Sequence, residues 1–158
     1  MPESTTTTFT GVFPTNEVKI ELDTASTTAR TSAYSSGTFA EVADMESAEF
    51  SIETGVETWF GIKEGGWQKA LATSKSITIS CSGKRCVGDT GNDYVFSKWN
   101  KVGQACNSWA KLTFPDDTVL VVPVVIKVNK ASVTGATGVA PLEFDLVSDG
   151  APQETTAS

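Results

Sequence analysis

The sequence predicts a mainly β protein, an antiparallel sandwich or barrel with one flanking helix. Three observations carry this. Apolar and polar side chains alternate in several short runs, Gly-, Pro- and Asp-rich turns separate the runs, and one stretch alone has a 3.6-residue apolar period. At 158 residues, 39% hydrophobic and 20% charged, the chain reads as a single domain spanning residues 1–158, able to bury a core without disulfide or metal staples. No internal repeat is evident.

The polar stretch 1–11 precedes the first alternating run, Val18-Lys19-Ile20-Glu21-Leu22, a strand with one buried face. In residues 24–38, nine of fifteen are Ser or Thr and only Tyr34 is large and apolar, so the segment offers little area to offset its ordering entropy. It reads as a long exposed loop that orders against a partner. Alternation is clearest over 48–56, where Ala48, Phe50, Ile52, Thr54 and Val56 form a core face and Glu49, Ser51, Glu53 and Gly55 the opposite one, continued by Glu57. Trp59-Phe60 and the turn Glu64-Gly65-Gly66 follow. Residues 67–72 have helical composition, and 76–81 alternate again.

A turn-rich stretch, 83–92, leads into the predicted helix at about 93–102. Asn92 is its expected N-cap, Asp93 favours the positive end, and Tyr94, Val95, Lys98, Trp99 and Val102 share one face before Gly103. Residues 111–114, the turn Pro115-Asp116-Asp117-Thr118 and the run from Val119 read as a hairpin. Residues 119–126 are apolar at all eight positions, so both faces of that strand must be covered. Pro123 marks an edge, a bulge or a break. The cover is either the chain's own sandwich or a second copy, which makes Val121, Val124 and Ile126 candidates for a subunit interface. The last strand, 142–147, ends at Asp149-Gly150 in a polar tail, 151–158.

Composition excludes much chemistry. The chain has no histidine, so the usual general base and commonest metal ligand are absent. With 12 basic and 19 acidic residues, net −7, it lacks the basic footprint of a protein that grips nucleic-acid phosphates. No apolar run is long enough for a membrane helix and no signal peptide is evident, so synthesis in the cytosol without membrane association is expected. Cys81, Cys86 and Cys106 contain no Cys-x-x-Cys pair and read as free thiols. No cofactor or metal is expected, and no enzyme.

Three constellations invite a functional reading. Glu49, Glu53 and Glu57 lie four residues apart on one strand face, roughly 13 Å between neighbours. That is too far for a glycosidase pair, which needs about 5 to 9.5 Å. They form either a solvated face or a surface that repels polyanions. Gly88-Asp89-Thr90-Gly91-Asn92-Asp93 resembles a phosphate loop superficially, but lacks the Lys-Ser/Thr of a P-loop, and turn plus helix cap explains it. Lys84-Arg85 beside Cys86 would lower a thiol pKa, yet no base accompanies them.

The order of motifs carries a resemblance. Phe13-Pro14, Phe50-Ser51-Ile52-Glu53, Glu57-Thr58-Trp59, Gly66-Trp67 and Leu71 are followed by Lys75-Ser76, Gly83-Lys84-Arg85 and Gly88-Asp89-x-Gly91-Asn92-Asp93-Tyr94-Val95. Phe114-Pro115-Asp116, Leu142-Glu143-Phe144 and Ser148-Asp149-Gly150-x-Pro152 complete the set. Together, over about residues 12–152, these resemble the major tail tube proteins of long-tailed, siphovirus-like bacteriophages, particularly of Gram-positive hosts. Asp117 stands where that pattern has glycine.

The resemblance implies a structural virion protein, assembled in the host cytoplasm as a homo-hexamer whose rings stack into a hollow tail tube. It implies a tape-measure protein inside, terminator and initiator proteins at the ends, and transient passage of double-stranded DNA during genome ejection without specific binding. About four strands from each of six subunits, at ~4.8 Å spacing and ~40° tilt, give a barrel roughly 48 Å across, wide enough for a ~20 Å duplex. Glu49, Glu53 and Glu57 would then line the channel and repel phosphates. The alternative function is a monomeric β-sandwich module that binds cell-wall carbohydrate on an aromatic platform drawn from Trp59, Trp67, Trp99 and Trp109.

Overall fold

The computed structural model describes residues 10–24, 38–133 and 135–156. Most of the Ser/Thr-rich loop of the sequence reading, residues 25–37, lies outside these, as do most of the N-terminal stretch and the last two residues. The strands are β1 (Lys19–Asp23), β2 (Phe39–Glu41), β3 (Met45–Phe60), β4 (Gln68–Lys84), β5 (Asn107–Thr113), β6 (Thr118–Ala131), β7 (Pro141–Ser148) and β8 (Gln153–Thr156). A helix, α1 (Thr90–Phe96), sits between β4 and β5.

All strand pairs are antiparallel and form one sheet in the order β2-β1-β5-β6-β7-β4-β3, with β8 also on β6. Leu22 and Leu112 from one end of this order share a core with Ile79 and Cys81 from the other, so the sheet curls over itself. Val122, Val124, Ile126, Leu142, Phe144 and Leu146 from the central strands fill the interior, and Val95 of α1 joins them. Each such side chain, fully buried, contributes about 1.5–3 kcal/mol of apolar transfer energy.

The apolar run of β6 is covered on both faces by the chain itself. Val122, Val124 and Ile126 point into the main core, while Val119 and Val121 pack with Trp109 and Phe39 in a second cluster. Val121, Val124 and Ile126, the interface candidates of the sequence, are 7%, 0% and 3% exposed in the single chain, where its own side chains cover them. Pro123 does not break the strand. It lies opposite Trp109 on the β5 side. On the other side of β6, β8 ends its pairing at Val121 and β7 begins at Val124, so the missing N–H falls where the partner changes. The segment read as a polar tail thus supplies β8.

Two further expectations change. Of residues 67–72, all but Trp67 are strand, because their pairing with β3 outweighs the helix propensity of Gln68, Lys69, Ala70 and Leu71. The helix is shorter and earlier than 93–102, and its N-cap is Asp89, whose carboxylate accepts from the Asn92 backbone N–H at 3.0 Å. Trp99 and Val102 lie beyond its end and are exposed. By contrast, the turn at 115–118 forms as expected: the Asp117 N–H donates to the Phe114 carbonyl, and the Phe114 N–H to the Thr118 carbonyl. Asp117 has φ 66°, a left-handed position that glycine fills readily and aspartate tolerates, which accounts for its place in the motif.

Asn92 is not the cap because it is used elsewhere. Its side chain is wholly buried and makes four hydrogen bonds. Oδ1 accepts from Arg85 Nη1 at 2.8 Å and from the Cys86 N–H at 3.0 Å, while Nδ2 donates to the carbonyls of Ala43 at 3.2 Å and Lys84 at 3.0 Å. This saturates the amide and ties α1 to the end of β4 and to the turn that starts β3. Asp89 adds a bond from the Ala43 N–H at 3.1 Å. Gly91 lies so close to the β2 end that a Cβ would meet the Glu41 carbonyl oxygen at 2.5 Å, so only glycine fits. The stretch that looked like a phosphate loop is a clasp.

Candidate functional site

The sheet has a polar outer face made by β3, β4, β7 and the second half of β6. Strand alternation turns Ala48, Phe50, Ile79, Cys81, Phe144 and Leu146 inward. The same alternation sends Glu49, Ser51, Glu53, Ser80, Thr78 and Asp145 outward, with Lys127 beside Asp145. One row across the strands therefore reads Glu49, Ser80, Asp145, Lys127, spanning about 14 Å at the usual strand spacing. Glu49, Glu53 and Glu57 all lie on this outer face and are exposed, as alternation required. A bulge between Gly55 and Val56 places the extra residue, Thr73, on β4, so the β3 alternation carries through to Glu57.

The β3–β4 hairpin extends far beyond the rest of the sheet. β4 pairs with β7 only from Thr78 to Lys84, so residues 53–60 of β3 and their partners form a free two-stranded arm about 25 Å long. The face expected to be core is covered only near the body. Phe50 and Ile77 pack against the core, whereas Ile52, Val56 and Phe60 are 57%, 54% and 68% exposed. At the tip, Gly65 and Gly66 take φ 62° and 85°, Glu64 pairs with Lys69 at 3.0 Å, and Trp67 is exposed. The apolar arm was missed as a surface because alternation alone does not say whether anything lies opposite; the unbroken pattern from Ala48 to Phe60 was its one signal.

Two edges of this four-strand face carry no partner among the described residues. β3 pairs with β4 alone, leaving its other edge open along 16 residues. β6 is flanked by β5 only up to Val125, so Lys127 to Ala131 have an open edge on that side.

The remaining candidates for chemistry are accounted for structurally. Burial pushes the Cys81 thiol up to about 12. A hydrogen bond to the Asp44 carboxylate, followed by desolvation, raises Cys86 above its ordinary value. Arg85, the cation next to it, is engaged with Asn92, with Asp93 at 2.7 Å and with the Phe96 ring. All three thiols are free, and those of Cys81 and Cys86 are held in the unreactive protonated form. The tryptophans do not form one platform: Trp109 is buried in the second cluster, Trp59 and Trp67 stand near the hairpin tip, and Trp99 follows α1.

No family model and no curated protein matches the chain. Solved structures do share its fold. A chain from the C6-symmetric tail of an empty GTA particle has TM-score 0.67 and 19% identity, covering 92% of this chain and 100% of that one. A chain from the virion of a native gene transfer agent particle has TM-score 0.65 and 18% identity, with coverage of 92% and 100%. One from the PVC sheath–tube complex of an extracellular contractile injection system has TM-score 0.57 and 12% identity, covering 92% and 93%. This chain therefore carries a tail tube fold, mainly antiparallel β with one short α-helix among the described residues.

Proposed function

We propose that this chain is a structural protein that assembles into hexameric rings, stacked as the hollow tail tube of a phage-like particle. The observation that carries the reading is the β3–β4 arm. It exposes Ile52, Val56 and Phe60 on one face of a two-stranded ribbon with an open edge, with Trp67 at its tip, a surface that a lone soluble chain does not maintain without a partner. A hairpin of two strands is marginal by itself and gains stability once its apolar face is covered. The C6 symmetry of the similar GTA tail supports six as the number of copies.

Within this class, the order of sequence motifs favours a sheathless tail of a long-tailed phage with a Gram-positive host. A tape-measure protein would occupy the lumen during assembly, terminator and initiator proteins would cap the ends, and double-stranded DNA would pass through at ejection. Glu49, Glu53 and Glu57 stand on the polar outer face of the four strands whose edges are open, the face that lines the lumen if those strands close into a barrel. Six copies would set rings of carboxylates around the channel and keep phosphates from adhering. The chemistry of passage is then exclusion: fixed negative charge, no bound cofactor and no catalytic group.

The arm gives the test. Replacing residues 54–75 by a two-residue Asn-Gly turn keeps the clasp and all core strands, so the variant is expected to melt close to wild type while sedimenting only as single chains. Wild type at the same concentration is expected to sediment as rings or longer tubes. A shortened variant that assembles as wild type does would sink the role given to the arm.

A further inference from the structure

The two open edges of the four-strand face carry opposite charge, and we propose that Lys127 and Lys130 of one copy face Glu49 and Glu53 of the next, so that charge fixes how subunits join around a ring. This rests on the tube reading and deepens it. The outer face of β3 presents Glu49, Glu53 and Glu57 and no base. At the opposite margin, the outer face of β6 from Val125 onward presents Lys127 and Lys130 and no acid. A bulge at Asn129, between Val128 and Lys130, brings both lysines to the same face. None of these four side chains forms a salt bridge within the chain among the described residues.

Strand direction makes the joint geometrically consistent. β6, β7, β4 and β3 are antiparallel in turn, so β3 runs opposite to β6. Rotation about an axis roughly along the strands preserves each strand's sense, and the next copy's β3 therefore meets β6 antiparallel. Every pair in the closed sheet is then of one kind, and each joint places an acidic edge against a basic one. A two-fold pairing of like edges would instead set glutamates against glutamates or lysines against lysines, which is unfavourable. The contact is heterologous and closes by rotation.

On this account the edge glutamates do more than line a lumen, and the distinction is measurable. One variant carries Glu49→Lys with Glu53→Lys, making both edges basic. A second carries Lys127→Glu with Lys130→Glu, making both acidic. Each alone should stay unassembled at concentrations at least about tenfold above the wild-type threshold. Mixed in equal amounts, they should recover assembly, because an alternating ring of six restores opposite charge at every joint. Thermal melting of each variant near wild type shows that the chains remain folded. If either folded variant assembles by itself like wild type, or if the mixture stays unassembled while wild type forms rings, the inference is overturned and the tube reading stands. A wild-type chain that never assembles overturns both.

Discussion

Ile126→Ala is expected to destabilise the isolated chain by about 3 kcal/mol, the usual range for removing three buried methyl or methylene carbons from a core being 2–5. For a domain of this size that lowers the melting temperature by roughly 10 °C. The cause is local: Ile126 is 3% exposed and packs in the main core with Val124, Phe144 and Leu146. The measurement is thermal unfolding at concentrations where the chain is monomeric. Were Ile126 an interface residue, the monomer would melt unchanged and only assembly would suffer, so the two accounts separate cleanly.

Asn92→Ala is expected to cost more, about 4 kcal/mol. Truncation leaves the Cys86 N–H and the Ala43 and Lys84 carbonyls without their partner in a region closed by α1, and takes one acceptor from Arg85. Each buried polar group left unsatisfied costs about 1–3 kcal/mol. Asn92→Asp keeps the acceptors but aims a carboxylate at two carbonyl oxygens, so it should not rescue. Amide hydrogen exchange is the discriminating readout. The loss of protection should reach Ala43 and the start of β3, because the clasp holds the turn from which the long arm departs.

The fold class was legible because antiparallel strands with one buried face write their alternation into the sequence. Glu49, Glu53 and Glu57 were placed on one face by period alone, and the structure puts them on the outer side of β3. What escaped was anything set by a partner strand. Residues 67–72 look helical in isolation, and 68–72 become strand through pairing with Val56 to Phe60. The three-residue β2 and the four-residue β8 are too short to show a period at all. The run 119–126 signalled two covered faces correctly, yet composition could not say whose side chains cover them. Here Trp109 and Phe39 of the same chain provide the second cover. Asn92 was misread for a related reason: a good cap residue next to another, Asp89, leaves local sequence unable to choose between them.

The same distinction bears on function. Alternation locates the acidic face, whereas the open edges and the uncovered arm that argue for assembly emerge only once the strands are paired. A net charge of −7 per chain, with seven acids and one base in residues 41–64 and four acids and seven bases in residues 80–130, acquires a direction across the sheet. The excess of acid falls at and near the β3 edge, and Lys127 and Lys130 stand at the β6 edge.

Electron microscopy of the purified wild-type protein across a range of concentrations measures directly whether the chain assembles into the proposed hollow tube. The account predicts rings with six-fold end views and hollow tubes with a lumen wide enough for a ~20 Å duplex. Discrete single chains at every concentration, or assemblies with no central channel, would contradict it.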